Sequence, residues 1–245
     1  MRNRIRLDDL ENGYFIYQDT DAFCFGIDAV LLAHYPALRE GDKVCDLCSG
    51  NGIIPLLIDS TAKKTGRNVR ITGLELQQPM ADLFTRSVAY NHLEDTITAV
   101  CGDVKEARAL FGPASFSLVT CNPPYIASGS GLTAEADAKK IARHEIACTL
   151  EDVISAAAGI LKEKGRFAMV HRPGRLAEIF HLLHKYRLEP KRMRLVHPYA
   201  DKSPNMVLIE AVRGGGAQLN IDPPLTVYNA DGTYTDEVLR IYGKI

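Results

Sequence analysis

Short apolar runs alternate along the chain with longer segments whose apolar positions recur at helical spacing. KVCDL (43–47), VRITGLEL (69–76), TITAVCGD (96–103), FSLVTC (116–121) and RFAMVH (166–171) read as strands. Between and after them, PMADLFTRSVAYNHL (79–93), LEDVISAAAGILKEKG (150–165) and GRLAEIFHLLHKY (174–186) read as helices, the second stopping at Gly165. IIPLLI begins another just beyond a glycine loop. This alternation predicts an α/β fold of βαβ units, a mainly parallel sheet with helices on both faces. Past residue 186 the rhythm changes. KRMRLVHP and NMVLIEAV are strands with no helix between them, and they predict a hairpin-like pair added to one sheet edge. Upstream, FCFGIDAVLLA (23–33) predicts an amphipathic helix laid across a ligand pocket, with Phe23 and Phe25 packing in the core. The expected organisation is an N-terminal extension (1–40), one α/β domain (41–213) and a C-terminal tail (214–245).

Composition narrows the class without naming a chemistry. The 245 residues are 46% hydrophobic and 24% charged, ordinary for a soluble globular protein with a real core. A net charge of −1 gives no global field for a polyanion, so any nucleic-acid surface must be a local patch. MRNRIRLDDLENGY lacks the apolar stretch of a signal peptide, and nowhere do ~18 apolar residues run together to span a membrane. Six scattered cysteines then read as reduced thiols. The expected location is cytoplasmic.

Candidate chemistry sits where predicted strands end. DLCSGNG (46–52) follows the first strand, the place where doubly wound sheets bind ligands. Gly50 and Gly52 allow close backbone approach, and the next helix offers free N–H groups. The spacing D-x-x-x-G-x-G lacks the third glycine of dinucleotide folds and suits a ligand without phosphates. Glu75 ends the second strand and suits a pair of ribose hydroxyls; Asp103 ends the third and suits an adenine amino group. Cys45 and Cys48 form a lone C-x-x-C with neither a second pair nor nearby histidines, so no metal site is expected. The fourth strand ends at NPPY, Asn122 to Tyr125. Its prolines stiffen a turn that holds the Asn122 side-chain oxygen and a backbone carbonyl as two acceptors. Such acceptors suit an sp² amino group, holding its lone pair toward an electrophilic methyl and stabilising the charge that develops on nitrogen. Tyr125 is placed to stack on a base.

Together, DLCSGNG, Glu75, Asp103 and NPPY resemble the motif set of class I S-adenosylmethionine-dependent methyltransferases that act on amino groups. FCFGIDAVLLA, IARHEIACTLEDVISAA, HRPGRLAEI, YRLEPKRMRLVHP and the PP-x-x-VY tail further resemble the bacterial tRNA(Val) adenine-N6 methyltransferases, over nearly the whole chain. The resemblance implies a Rossmann-like sheet of seven strands, the last antiparallel, with S-adenosyl-L-methionine as cofactor and the adenine beside the anticodon as target. It implies that Asn122, Pro123, Pro124 and Tyr125 form the catalytic turn. Asp46, Gly50 and Gly52 then cradle the methionine part of the cofactor, with Glu75 on its ribose and Asp103 on its adenine. Cys48, Ser49, Asn51, Leu76, Val104 and Asn122 complete the implied cofactor site. Cys48–Ser49 departs from the family's usual small residues at those positions, which should alter loop packing more than chemistry.

Basic residues suggest where a polyanion would lie. Lys185, Arg187, Lys191, Arg192 and Arg194 form one cluster, Lys139, Lys140, Arg143 and His144 another, and Arg172 with Arg175 a third. GSGLTAEADAKK (129–140) reads as a loop that orders over substrate. The main rival is a protein-glutamine N5-methyltransferase acting on release factors, which also carries NPPY. Only about 40 residues precede the glycine loop here, few for that group's separate substrate domain. A DNA adenine methyltransferase would carry a target-recognition insert, and a non-enzymatic RNA-binding module could have lost Glu75, Asp103 or Asn122.

Overall fold

The computed structural model describes residues 5–20, 25–123 and 148–245. The chain opens with a hairpin, β1 (Ile5–Asp9) and β2 (Phe15–Asp19), paired antiparallel. Asn12–Gly13 lies in its turn, where Gly13 takes a positive φ of 93°. Helix α1 (Ile27–His34) leads into β3 (Lys43–Leu47), α2 (Ile53–Lys64), β4 (Arg70–Glu75), α3 (Gln78–Tyr90) and β5 (Ile97–Cys101). A short α4 (Ala107–Phe111) precedes β6 (Phe116–Cys121). Then come α5 (Leu150–Ile160), β7 (Leu161–His171), α6 (Leu176–Lys185), β8 (Leu188–His197) and β9 (Met206–Arg213). The C-terminal segment adds β10 (Asn220–Ile221), β11 (Leu225–Thr226) and α7 (Asp236–Ile241).

The main sheet runs β10-β8-β9-β7-β6-β3-β4-β5, with β11 also pairing with β8. Its seven long strands, β3 to β9, are parallel except for β9, which is antiparallel to both β7 and β8. The seven-strand sheet with an antiparallel last strand is therefore present. The hairpin-like pair is present at that edge as well: β8 and β9 pair antiparallel beyond β7, with β9 the inner strand. Its run MVLIEA is buried throughout, as befits a strand with neighbours on both sides. One apolar layer joins the sheet to α1, α2, α3 and α7, and another to α4, α5 and α6, so helices cover both faces.

Two expectations need correction. The helix begun at Leu150 ends at Ile160, not at Gly165. Leu161 is already extended (φ −69°, ψ 140°) and fully buried, pairing with Phe116. The polar residues Lys162–Lys164 are exposed and bulge outward before Arg166 re-enters the ladder opposite Leu118. Helix α1 is not amphipathic either. Ala29 to Ala33 are all buried, because α1 is covered by α2, by β7 and by α7.

At the amino ends of the strands a buried ion pair closes the sheet. Arg166 donates to Asp42 at 2.7 Å, and both side chains are buried. Asp42 also accepts from the Ser117 hydroxyl (2.6 Å) and the Arg39 amide (2.8 Å), while Arg166 donates to the Ala37 carbonyl.

Candidate active site

The opposite edge gathers the predicted residues. Leu47 lies in register with Leu74 on one side and Cys121 on the other, and Glu75 with Cys101. Asp46, Glu75, Asp103 and Asn122 thus leave the sheet along one carboxyl-terminal edge, and hydrogen bonds tie the ends together. Ser49 donates its amide to the Leu74 carbonyl (3.0 Å), and Gly102 donates to the Glu75 carbonyl (2.9 Å).

The glycine loop spends its side chains inward. Asp46 is fully buried and accepts from the Thr120 hydroxyl (2.6 Å) and the Ser49 hydroxyl (2.7 Å). Burial pushes its carboxyl up to about 7, against those two hydrogen bonds. Asn51 donates to the Tyr17 carbonyl at 3.1 Å and so pins the loop to the hairpin. The Cys48 thiol hydrogen-bonds with the thiols of Cys121 and Cys148, its bond with Cys121 holding it well above the usual thiol range. Burial does the same to Cys45. Protonated, buried thiols make poor nucleophiles. What the loop presents outward is backbone. Gly50 has no atom within 4 Å of where a Cβ would stand. Gly52 caps α2 in the left-handed region (φ 88°), and a Cβ there would lie 2.0 Å from the Phe84 ring.

Around the loop stand acceptors and apolar surface. Glu75 takes the Gly50 amide on one carboxylate oxygen and the Gln77 amide on the other, each at 2.9 Å. A carboxylate oxygen carries two lone pairs, so each keeps one for a ligand hydroxyl. Asp103 is partly exposed and accepts from the Lys105 amide (2.9 Å). Leu76 is 46% exposed and Leu110, on α4 beside Gly102, 49%, which leaves apolar surface next to the ends of β4 and β5. Val104, by contrast, is buried in the layer shared with α5 and serves as packing.

Asn122 is the pivotal group. Its amide nitrogen donates to Asp28 on α1 at 2.9 Å. Its side-chain oxygen is buried and has no hydrogen-bond partner among the described residues. Because a carboxylate only accepts, Asp28 fixes which way the amide points. Pro123, the next residue, is buried. Pro124 and Tyr125 lie outside the described residues, as do Phe23, the loop 129–140, and Lys139, Lys140, Arg143 and His144.

Sequence reasoning missed Leu110, whose signal was an unexplained leucine. It missed the hairpin over the loop, although Asn-Gly between alternating apolar positions signals one. A further aromatic row, Tyr199, Tyr228, Tyr234 and Tyr242, packs ring to ring at 5.3–5.5 Å. Burial, and after it neighbouring Tyr234, raises the Tyr242 phenol; the charge of Asp28 adds to the effect.

The basic cluster on α6 and β8 is largely spent on internal partners. Lys185 pairs with Glu151, Arg192 with Asp222, and Arg194 with Glu237. Arg192 also lies over the Tyr35 ring (4.3 Å), and Lys191 donates to the Gly216 carbonyl. Arg175 pairs with Glu178, and Arg172 donates to the Asn205 carbonyl. These side chains fasten the C-terminal segment and α5 more than they form an open cationic face.

Strand order, the loop after β3 and acidic residues ending β4 and β5 define the class: this is the class I methyltransferase fold. No family model matches the chain. Among curated proteins it is similar to the tRNA1(Val) (adenine(37)-N6)-methyltransferase of Porphyromonas gingivalis, 28% identical over 225 residues, covering 88% of this chain and 86% of that one. The protein of the same name from Aeromonas hydrophila is 25% identical over 228 residues, covering 93% and 92%. Among solved structures, a "predicted O-methyltransferase" from Agrobacterium tumefaciens superposes with a TM-score of 0.70 at 25% identity, covering 89% of this chain and 96% of that one. Geranyl diphosphate C-methyltransferase from Streptomyces coelicolor, solved with S-adenosyl-L-homocysteine, gives a TM-score of 0.54 at 15% identity, covering 76% and 78%.

Proposed function

We propose that this protein is an S-adenosylmethionine-dependent methyltransferase acting on the exocyclic N6 of an adenine in tRNA, and specifically the adenine at position 37 of tRNA1(Val). The unpartnered, buried oxygen of Asn122 at the carboxyl end of β6 carries the reading. The names of the relatives that match most of the chain support the substrate. An enzyme on tRNA works in the cytoplasm, and no helix among the described residues is long and apolar enough to cross a membrane.

The residues fit the cofactor. Asp46, Cys48, Ser49 and Asn51 hold the loop through their side chains, and the loop offers backbone at Gly50 and Gly52 to the methionine part. The spare lone pairs of Glu75 take the ribose hydroxyls, Asp103 takes the adenine amino group, and Leu76 and Leu110 supply apolar surface for the ring. S-Adenosylmethionine supplies an electrophilic methyl group on a sulfonium.

Asn122 accepts one N–H of the target amino group and the turn's backbone carbonyl accepts the other. Held this way, the nitrogen is drawn toward tetrahedral geometry, so that its lone pair would form the new C–N bond as the C–S pair returned to the cofactor's sulfur. The same oxygens stabilise the cationic nitrogen, which then loses a proton to solvent. No base of this chain is required.

Purified protein, labelled S-adenosylmethionine, total tRNA and a peptide release factor, followed by nucleoside analysis, test the proposal. Label in N6-methyladenosine of tRNA is expected. Label in release-factor glutamine would replace this reading with the protein-methylating one.

A further inference from the structure

An amide side chain is nearly symmetric in shape but opposite in polarity across its two ends. Asn122 serves an amino group only if its oxygen faces the target; turned over, it presents an NH2 to another NH2. A rigid backbone turn does not settle that choice, because the flip needs rotation about a side-chain bond alone. Something must accept from the nitrogen.

Asp28 does so from a distant part of the chain, 94 residues away in sequence. It stands in the first turn of α1, a helix held by the buried run Ala29–Ala33. The space for its carboxylate comes from Gly26. A Cβ there would stand 2.7 Å from Asp28 Oδ1, so any larger residue must displace the oxygen.

We infer that Asp28 is a positioning residue acting through Asn122, an inference that rests on the proposed amino-group methylation. Its carboxylate holds the amide nitrogen, leaving the amide oxygen aimed at the acceptor. The charge-assisted bond also draws electron density onto that oxygen, which strengthens its hold on the developing cationic nitrogen. The row runs from carboxylate to amide to substrate nitrogen, with opposite charges at its two ends when the methyl is half transferred.

Three variants test this: Asp28→Asn, which still accepts but carries no charge; Asp28→Leu, which neither accepts nor is charged; and Gly26→Ala, which displaces the carboxylate without removing it. Each is compared with wild type for single-turnover methyl transfer, affinity for S-adenosylhomocysteine, melting temperature, and the 1H–15N shift of the Asn122 side-chain amide. The transfer rate should fall about 10-fold in Asp28→Asn and about 100-fold in Asp28→Leu, by analogy with the range found when a residue that orients a metal ligand is lost. Gly26→Ala should fall between them. S-Adenosylhomocysteine affinity should stay within about twofold, and the Asn122 amide protons should move upfield in every variant.

Transfer within about twofold of wild type in both Asp28 variants, or a rate loss matched by an equal loss of S-adenosylhomocysteine affinity, would overturn the role. So would an Asn122 amide shift that ignores Asp28→Asn, the near-isosteric variant that remains informative if Asp28→Leu fails to fold. A wild-type protein that methylates neither tRNA nor release factor would overturn the proposed reaction, and this role with it.

Discussion

The two edges of one sheet handle buried polar groups in opposite ways. At the amino-terminal edge, Asp42 and Arg166 are enclosed together, and Ser117, Arg39 and Ala37 occupy most of their remaining capacity. One nitrogen, Arg166 Nε, lacks a partner there. At the carboxyl-terminal edge the acceptors are left half used. Glu75 spends one lone pair per oxygen on the backbone, and Asn122 leaves its oxygen without a partner. An unsatisfied buried acceptor costs about 1–3 kcal/mol, so the fold carries that cost where a ligand is expected to relieve it. The closed edge supports the sheet; the open edge is held ready for a guest.

Mutating the two ends should separate these roles. Asn122→Ala should lower methyl transfer about a thousandfold while S-adenosylhomocysteine affinity, measured by calorimetry, changes little. Equal loss of both would mean that Asn122 supports the pocket and does not meet the target. Arg166→Ala should do the reverse: it leaves Asp42 buried and charged, costing about 3–5 kcal/mol in denaturant unfolding. At a temperature where the variant is folded, its S-adenosylhomocysteine affinity should match wild type. A drop in affinity would show that the edges are coupled through β7. A pH-dependent effect concerns Asp46. Its folded carboxyl, raised to about 7 by burial, stands above the unfolded value of about 3.9. Its contribution to stability is therefore complete below about pH 4 and fades as pH rises through about 7. Melting curves across that window should show wild type losing stability relative to Asp46→Asn. Parallel curves would mean that Asp46 stays ionised in the folded protein.

Much of the open edge could be read from sequence because its elements are local. KVCDL and FSLVTC occur as strands with the expected bounds, since each is a short apolar run ended by a glycine loop or by prolines. The described motif residues, Asp46, Gly50, Gly52, Glu75, Asp103 and Asn122, emerge on one edge once the strands are parallel. What escaped was long-range. Nothing within NMVLIEAV says that it will slip between β7 and β8; its pairing partners decide that. The apolar Leu161 reads equally as a helix end or a strand start, and pairing with Phe116 resolves it. The basic cluster looked open because Asp222 and Glu237, which neutralise Arg192 and Arg194, lie 30 and 43 residues further on. The hairpin is a different case: Asn12–Gly13 was a local signal and simply went unread.

Phe84 has a consequence for how this sequence can change over time. Its buried ring lies where a Cβ on Gly52 would fall, and also 2.3 Å from where one on Gly73 would fall. A side chain at either position evicts the ring, and a smaller residue at 84 leaves a void under the loop that faces the ligand. The three positions therefore form a single heritable unit. Random mutagenesis taken one position at a time should find all of them intolerant, whereas a library varying them jointly should recover active combinations in which bulk has moved from the helix to the strand.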